Sequence, residues 1–274
     1  MERRSFRAMG TVVELLLDIE PGAESDAALA RAEQEFERLE RLLSRFRPDS
    51  ELSALNRLGM IDAGADLVAV TTLALQARER TGGLFDPTVH DALVAAGYDR
   101  TFENLSGDGP PVSAQACGGA VRIEGRTIEL EPGFRLDLGG IAKGYAVDRA
   151  ADLLGDVGPC LVNAGGDLVA LDRSWPVGVE TADGQITLAL EDGAIATSGT
   201  DRRRWRRGGA EAHHLIDPAL GLPAASDYLR VTVIAPTATE AEVLAKAVFL
   251  GAPVQAPTVL VTTGGQTVLA GGLG

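Results

Sequence analysis

Residues 136–154 read LDLGGIAKGYAVDRAADLL, and residues 161–168 read LVNAGGDL. Each segment begins as an apolar strand and runs into a pair of glycines. In the first, the turn opens a helix whose early residues include Lys143. A Gly-rich turn at a helix N-terminus brings backbone N–H groups close to a phosphate. On a strand, Phe134, Leu136 and Leu138 face one side and Arg135 and Asp137 the other, so Asp137 points away from the core just before the turn. A first-turn lysine opposes the helix dipole, and a bound anion would account for it. A surface lysine beside a turn aspartate accounts for the same residues. The pattern is neither GxGxxG nor a Walker motif.

The whole chain limits what such a site serves. Its 274 residues carry 25 Lys and Arg against 39 Asp and Glu, a formal net charge of −14. That balance argues against nucleic acid as a partner, and any anion needs a local binding device. No run of about 18 apolar residues exists, so no membrane span is expected. The start, MERRSFRAMGTVVELLL, lacks the pattern of a secretory signal, which makes the cytoplasm the expected location. Cys117 and Cys160 have no metal-ligand spacing and point to a reducing compartment or to simple core thiols.

Apolar residues Leu29, Ala32, Phe36, Leu39, Leu43 and Phe46 step by three and four, which predicts a helix over 27–46 ended by Pro48. Further helices are expected over 51–57, 66–80, 88–96 and 239–250. Strands are expected over 6–19, broken at Met9-Gly10, and in short runs from 121 to 131, 160 to 197 and 230 to 270. Residues 106–115, SGDGPPVSAQ, read as a loop. Helices and strands do not alternate, so the chain reads as α+β with largely antiparallel sheets rather than a Rossmann wind. One domain spanning 1–274, with room for two intimately packed subdomains, is expected.

Three other features bear on chemistry. His214, in HHLIDP at 213–218, is suited to act as a general base beside a phosphate, although a structural hydrogen bond at a turn is the commoner role of such a histidine. Residues 202–207, RRRWRR, read as a solvated loop from which one arginine is free to meet a phosphate or an acidic protein. Glu242 and Lys246 are four apart on the last helix, the spacing of a surface ion pair.

Taken together, MGT at 9–11, SRFRPDSELSALN at 44–56, GGLFDPTV at 82–89, LDLGGIAKGYAVD at 136–148, LVNAGGDL at 161–168, ATSG at 196–199 and HLIDPALGLP at 214–223 resemble the ApbE family, the FAD:protein FMN transferases. The resemblance runs nearly end to end. It implies a T-fold-like α+β structure with FAD in a cleft, and transfer of FMN from FAD to a Thr or Ser hydroxyl of an acceptor flavoprotein with release of AMP. It implies His214 as catalytic base. It implies contacts to the flavin nucleotide from Met9, Phe46, Phe85, Asp86, Asp137, Lys143, Leu215 and Ile216. The family's Mg²⁺ matches the Gly140 carbonyl and two side chains on the last helix, typically Asp and Thr, whose places here are held by Glu242 and Lys246. Glutamate is an oxygen ligand, whereas an ammonium has no lone pair to give.

Overall fold

The computed structural model describes residues 1–105 and 108–273; residues 106 and 107 of the expected loop lie outside the described residues. The apolar–polar alternation on either side of Met9-Gly10 forms β1 (Glu2–Ala8) and β2 (Thr11–Leu17), joined by a tight two-residue turn. Six more strands join them: β3 (Cys160–Ala164), β4 (Asp167–Leu171), β5 (Gly193–Gly199), β6 (Tyr228–Ala235), β7 (Thr258–Thr262) and β8 (Thr267–Ala270). They make one eight-stranded sheet in chain order, β1 to β8, antiparallel at every pairing.

Among the described residues five α-helices lie between β2 and β3: α1 (Ala23–Leu43), α2 (Glu51–Leu58), α3 (Ala65–Arg80), α4 (His90–Ala95) and α5 (Ala142–Gly155). The sixth, α6 (Ala238–Phe249), connects β6 to β7. Helix α5 covers one sheet face, with Ala146, Val147, Ala150 and Leu154 packed in one core with Leu15, Val162 and Val169. A hairpin of Trp175–Thr181 and Gly184–Leu190 covers the other, where Trp175, Val177 and Val179 meet Leu161, Leu168 and Ile195. Strands β3 and β4 are therefore buried on both faces, which is why they read as continuous apolar runs.

The helix α1 ends at Leu43, short of the expected Phe46. Ser44 is extended, and the Ser50 hydroxyl donates to its carbonyl at 2.7 Å while capping α2 at Ser53 N. Side-chain hydrogen bonds of this kind compete with helix continuation. Arg45, Phe46 and Arg47 thereby leave the helix and turn towards a cavity.

Residues 134–138 form neither helix nor strand and belong to no sheet. The backbone of Leu136 is satisfied instead by the Asn56 side chain, which donates to its carbonyl at 2.8 Å and accepts from its N–H at 2.7 Å. Asp137 is buried along with Leu136 and Leu138. The arginine-rich stretch is also not a loop, since Arg204–Arg207 pairs with Ala210–His213 as a hairpin.

Helices α5 and α6 lie against each other, and one glycine and one carboxylate account for it. A Cβ on Gly144 would stand 2.6 Å from the Ala238 carbonyl oxygen, so no larger residue fits that crossing. One turn on, Asp148 of α5 accepts from Ala238 N at 2.7 Å and Thr239 N at 2.9 Å, capping α6 from outside. Free N–H groups at a helix start need such acceptors.

Candidate active site

The turn between β1 and β2, the segment after α1, the loop before α4, the start of α5 and the last turn of α6 enclose a cavity of about 360 Å³. Met9, Phe46, Phe85, Asp86, Asp137, Gly140, Lys143, His214, Ile216 and Lys246 all line it. Met9 has φ 51°, the left-handed conformation that a two-residue hairpin turn requires at its first position. Two of the expected residues face elsewhere. Leu215 packs with Val231, Val233 and Phe249 in the core beneath α6, because neighbours on an extended segment point to opposite sides. Glu242 is buried between α5 and α6 and accepts from Gly144 N at 2.9 Å.

One end of the cavity is aromatic. Phe46 and Tyr98 meet edge to face with ring centroids 5.5 Å apart, and Tyr98 packs on Trp205 at 5.4 Å. Phe102 completes the group, and Trp205 Nε1 donates to the Ala96 carbonyl at 2.7 Å. Tyr98 and Phe102 escape sequence analysis because they lie outside any helical or strand period. Beneath them the Arg45 guanidinium sits 4.1 Å from the Phe46 centroid and 4.8 Å from that of Tyr98. Arg45 is ion-paired with Asp137, both almost fully buried. Asp137 also accepts from Gly139 N at 2.8 Å. Its carboxylate is thus engaged by the protein itself, holding the Gly139-Gly140 turn against Arg45.

The other end is cationic. Lys143 is ion-paired with Asp167, which joins the two segments quoted at the outset, and lies 3.9 Å from Glu242. Of the arginine stretch, only Arg203 lines the cavity, and it donates to the Gly10 carbonyl at 3.3 Å. Its neighbours are engaged elsewhere, Arg202 with Glu180 and Arg204 with Glu211. Lys246 and Arg203 make no ion pair among the described residues. Glu242 and Lys246 are therefore not the surface pair that their spacing suggests.

His214 stands beside these cations. Its Nδ1 is buried without a hydrogen-bond partner. Burial, with Arg203 and Lys246 adding to it, holds the imidazole pKa well below its ordinary value, so the ring is neutral and free to take a proton. Asp86 is fixed on the opposite wall, accepting from Thr88 N and Thr88 Oγ1, each at 2.7 Å, with Arg78 3.5 Å away.

The residues at the expected metal position do not fit a divalent cation. Mg²⁺ takes six oxygen ligands in near-octahedral order. Among the described residues no group of three or more His, Cys, Asp or Glu side chains is placed to hold a metal. Glu242 is occupied by Gly144 and Lys143, and the Lys246 ammonium rests against Gly140. A dication about 4 Å from an ammonium meets about 8 kcal/mol of repulsion at an effective dielectric near 20.

The chain is similar in sequence and fold to proteins with named activities. The chain is 32% identical to the FAD:protein FMN transferase of Treponema pallidum, over 84% of this chain and 73% of that protein. Its fold matches the crystal structure of the ApbE protein from Thermotoga maritima with a TM-score of 0.86 and 26% identity, covering 98% of this chain and 96% of that one. It matches the flavin transferase ApbE from Vibrio cholerae with a TM-score of 0.82 and 25% identity, covering 98% and 96%. Residues 9–269 fit the sequence profile of the ApbE family, so the match spans both glycine segments, the cavity and α6, and the chain belongs to that family.

Proposed function

We infer that the protein is an FAD:protein FMN transferase, moving FMN from FAD to a Thr or Ser hydroxyl of an acceptor flavoprotein. The observation that carries this reading is the placement of neutral His214 beside two cations, Lys246 and Arg203, that have no carboxylate partner among the described residues, in one cavity. Phosphoryl transfer needs that combination: a base for the incoming hydroxyl and positive charge for the pyrophosphate. The aromatic end offers π-faces for a planar ring, with Phe46 and Tyr98 foremost. The named activity of the relatives supports the same conclusion.

In the step so inferred, the acceptor hydroxyl oxygen attacks the phosphorus on the FMN side of the pyrophosphate. The bond from that phosphorus to the bridging oxygen breaks, and AMP leaves with the electron pair. His214 takes the hydroxyl proton. Lys246 and Arg203 meet the negative charge that grows on the departing phosphate, while Arg45 and Asp137 hold the Gly139-Gly140 turn in place. No step is assigned to Mg²⁺, which the donor set does not suit.

The experiment is to incubate the protein with FAD and follow AMP by chromatography, with water or an acceptor domain as nucleophile. His214→Ala should lower AMP release by about a hundredfold or more while FAD affinity stays within a few fold. Unchanged turnover removes His214 from the reaction, and FAD binding without AMP release marks a binding protein instead.

A further inference from the structure

The three cationic side chains at one end of the cavity come from separate elements: Lys143 from α5, Lys246 from α6 and Arg203 from the stretch after β5. They are not equivalent. Lys143 already has Asp167 as a partner, with Glu242 close by. Lys246 and Arg203 have no carboxylate partner among the described residues, and both face the cavity.

Lys246 is also closely held. Its Nζ lies 1.7 Å from where a Cβ on residue 140 would stand and 5.5 Å from the Phe85 ring centroid. Position 140 is thus a glycine that leaves room for an ammonium. The carboxylate one helical turn earlier, Glu242, is turned to Gly144 N and Lys143, where it ties α5 to α6. An ammonium in this setting has three N–H groups and lacks an anionic acceptor, and phosphate oxygens are the acceptors that match it.

We propose that Lys246 is a tethered cation standing in for a divalent metal, so that this chain binds and cleaves the dinucleotide pyrophosphate without Mg²⁺. This rests on the flavin-nucleotide reading of the site. One fixed positive charge replaces half of a dication, and Arg203 supplies the other half. Lys246 acts as the ammonium: burial pulls its pKa down, and a phosphate anion beside it pulls the other way. It exchanges no proton, and it accompanies the phosphate oxygen that receives the electron pair when the phosphorus–oxygen bond to AMP breaks.

The test uses the full chain with FAD. FAD affinity is read by flavin fluorescence in EDTA and in millimolar Mg²⁺, and metal binding is read separately by the electron paramagnetic resonance of Mn²⁺. The expected result is an FAD affinity that agrees within about twofold in the two buffers and a Mn²⁺ spectrum that stays that of the free ion when FAD is bound. AMP release should persist in EDTA. Lys246→Met, similar in length and uncharged, should weaken FAD binding about tenfold or more, the loss expected for a charge-assisted contact to phosphate. FAD-dependent capture of Mn²⁺, or binding that needs Mg²⁺, overturns the proposal while leaving the flavin reading intact. Unchanged affinity in Lys246→Met also overturns it. If that variant does not fold by circular dichroism, the wild-type Mn²⁺ and EDTA arms decide. Failure of the wild type to bind FAD in either buffer removes both readings.

Discussion

Asp148 and Thr239 are the joint between the two helices that build the cationic end of the cavity. The Asp148 carboxylate accepts from Thr239 N at 2.9 Å and from the Thr239 hydroxyl, and from Ala238 N at 2.7 Å. Burial pushes the Asp148 carboxyl pKa up, and these three donors pull against it. Lys143 lies five residues before Asp148 and Lys246 seven after Thr239, so the joint sets where both ammonium groups arrive.

Asp148→Ala should destabilise the fold by about 1–3 kcal/mol, because two backbone N–H groups at the start of α6 lose their partner. It should also weaken FAD binding, since Lys246 rides on α6. Asp148→Asn keeps one acceptor oxygen and should fall between. Urea unfolding and flavin titration on the same samples check both parts, and a variant as stable as wild type would remove the capping role.

Arg45 and Asp137 should behave as a unit. Each is nearly buried, and removing one leaves the other charge without its partner. Asp137→Ala and Arg45→Ala should each destabilise by about 3 kcal/mol. The double variant should lose much less than the sum, which a double-mutant cycle in urea measures directly. Additive losses would mean that the pair is not coupled.

The pH dependence of the reaction should carry the mark of a buried imidazole. Only neutral His214 accepts a proton, and its pKa is held well below the ordinary 6.5. The AMP-release rate should therefore stay level as pH falls through about 6.5 and decline only in more acid solution. Stability should follow a related course. Unfolded His214 binds a proton near pH 6.5 that the folded site resists, so its share of stability is fully present above that pH and diminishes below it. A rate limb centred near 6.5 would contradict the burial argument.

Trp205 should report on ligand binding. It packs against Tyr98 at the aromatic end, whereas Trp175 lies in the core on the far side of the sheet. The chain has two tryptophans, so Trp175→Phe leaves one. FAD titration should quench the remaining emission in a saturable way. Emission unaffected by saturating FAD would place the ligand away from Phe46 and Tyr98.

Much of the fold is legible in residue order. Periods of two and of three to four predict most of the elements, and the antiparallel main sheet follows chain order because each strand is joined to the next by a turn or a covering insertion. The misreadings come where a distant group intervenes. Asn56 takes the backbone bonds of Leu136 and keeps residues 134–138 out of any sheet. Ser50 draws in the end of α1 three residues early. Leu215 and Ile216 are adjacent, yet of the two only Ile216 lines the cavity.

The two glycine segments, with Asp137 and Lys143, raise the idea of an anion-binding turn by sequence alone and, with five other motifs, identify the family. Which charges remain free to bind an anion was decided only by the tertiary structure. Arg45 neutralises Asp137, Asp167 engages Lys143, and Glu242 turns to Gly144, which leaves Lys246 and Arg203 facing the cavity. Residue order records the kinds of charge along the chain. Their pairing depends on distances of a few ångströms across elements that lie far apart in sequence, because Coulomb and hydrogen-bond energies are set by those distances and by burial.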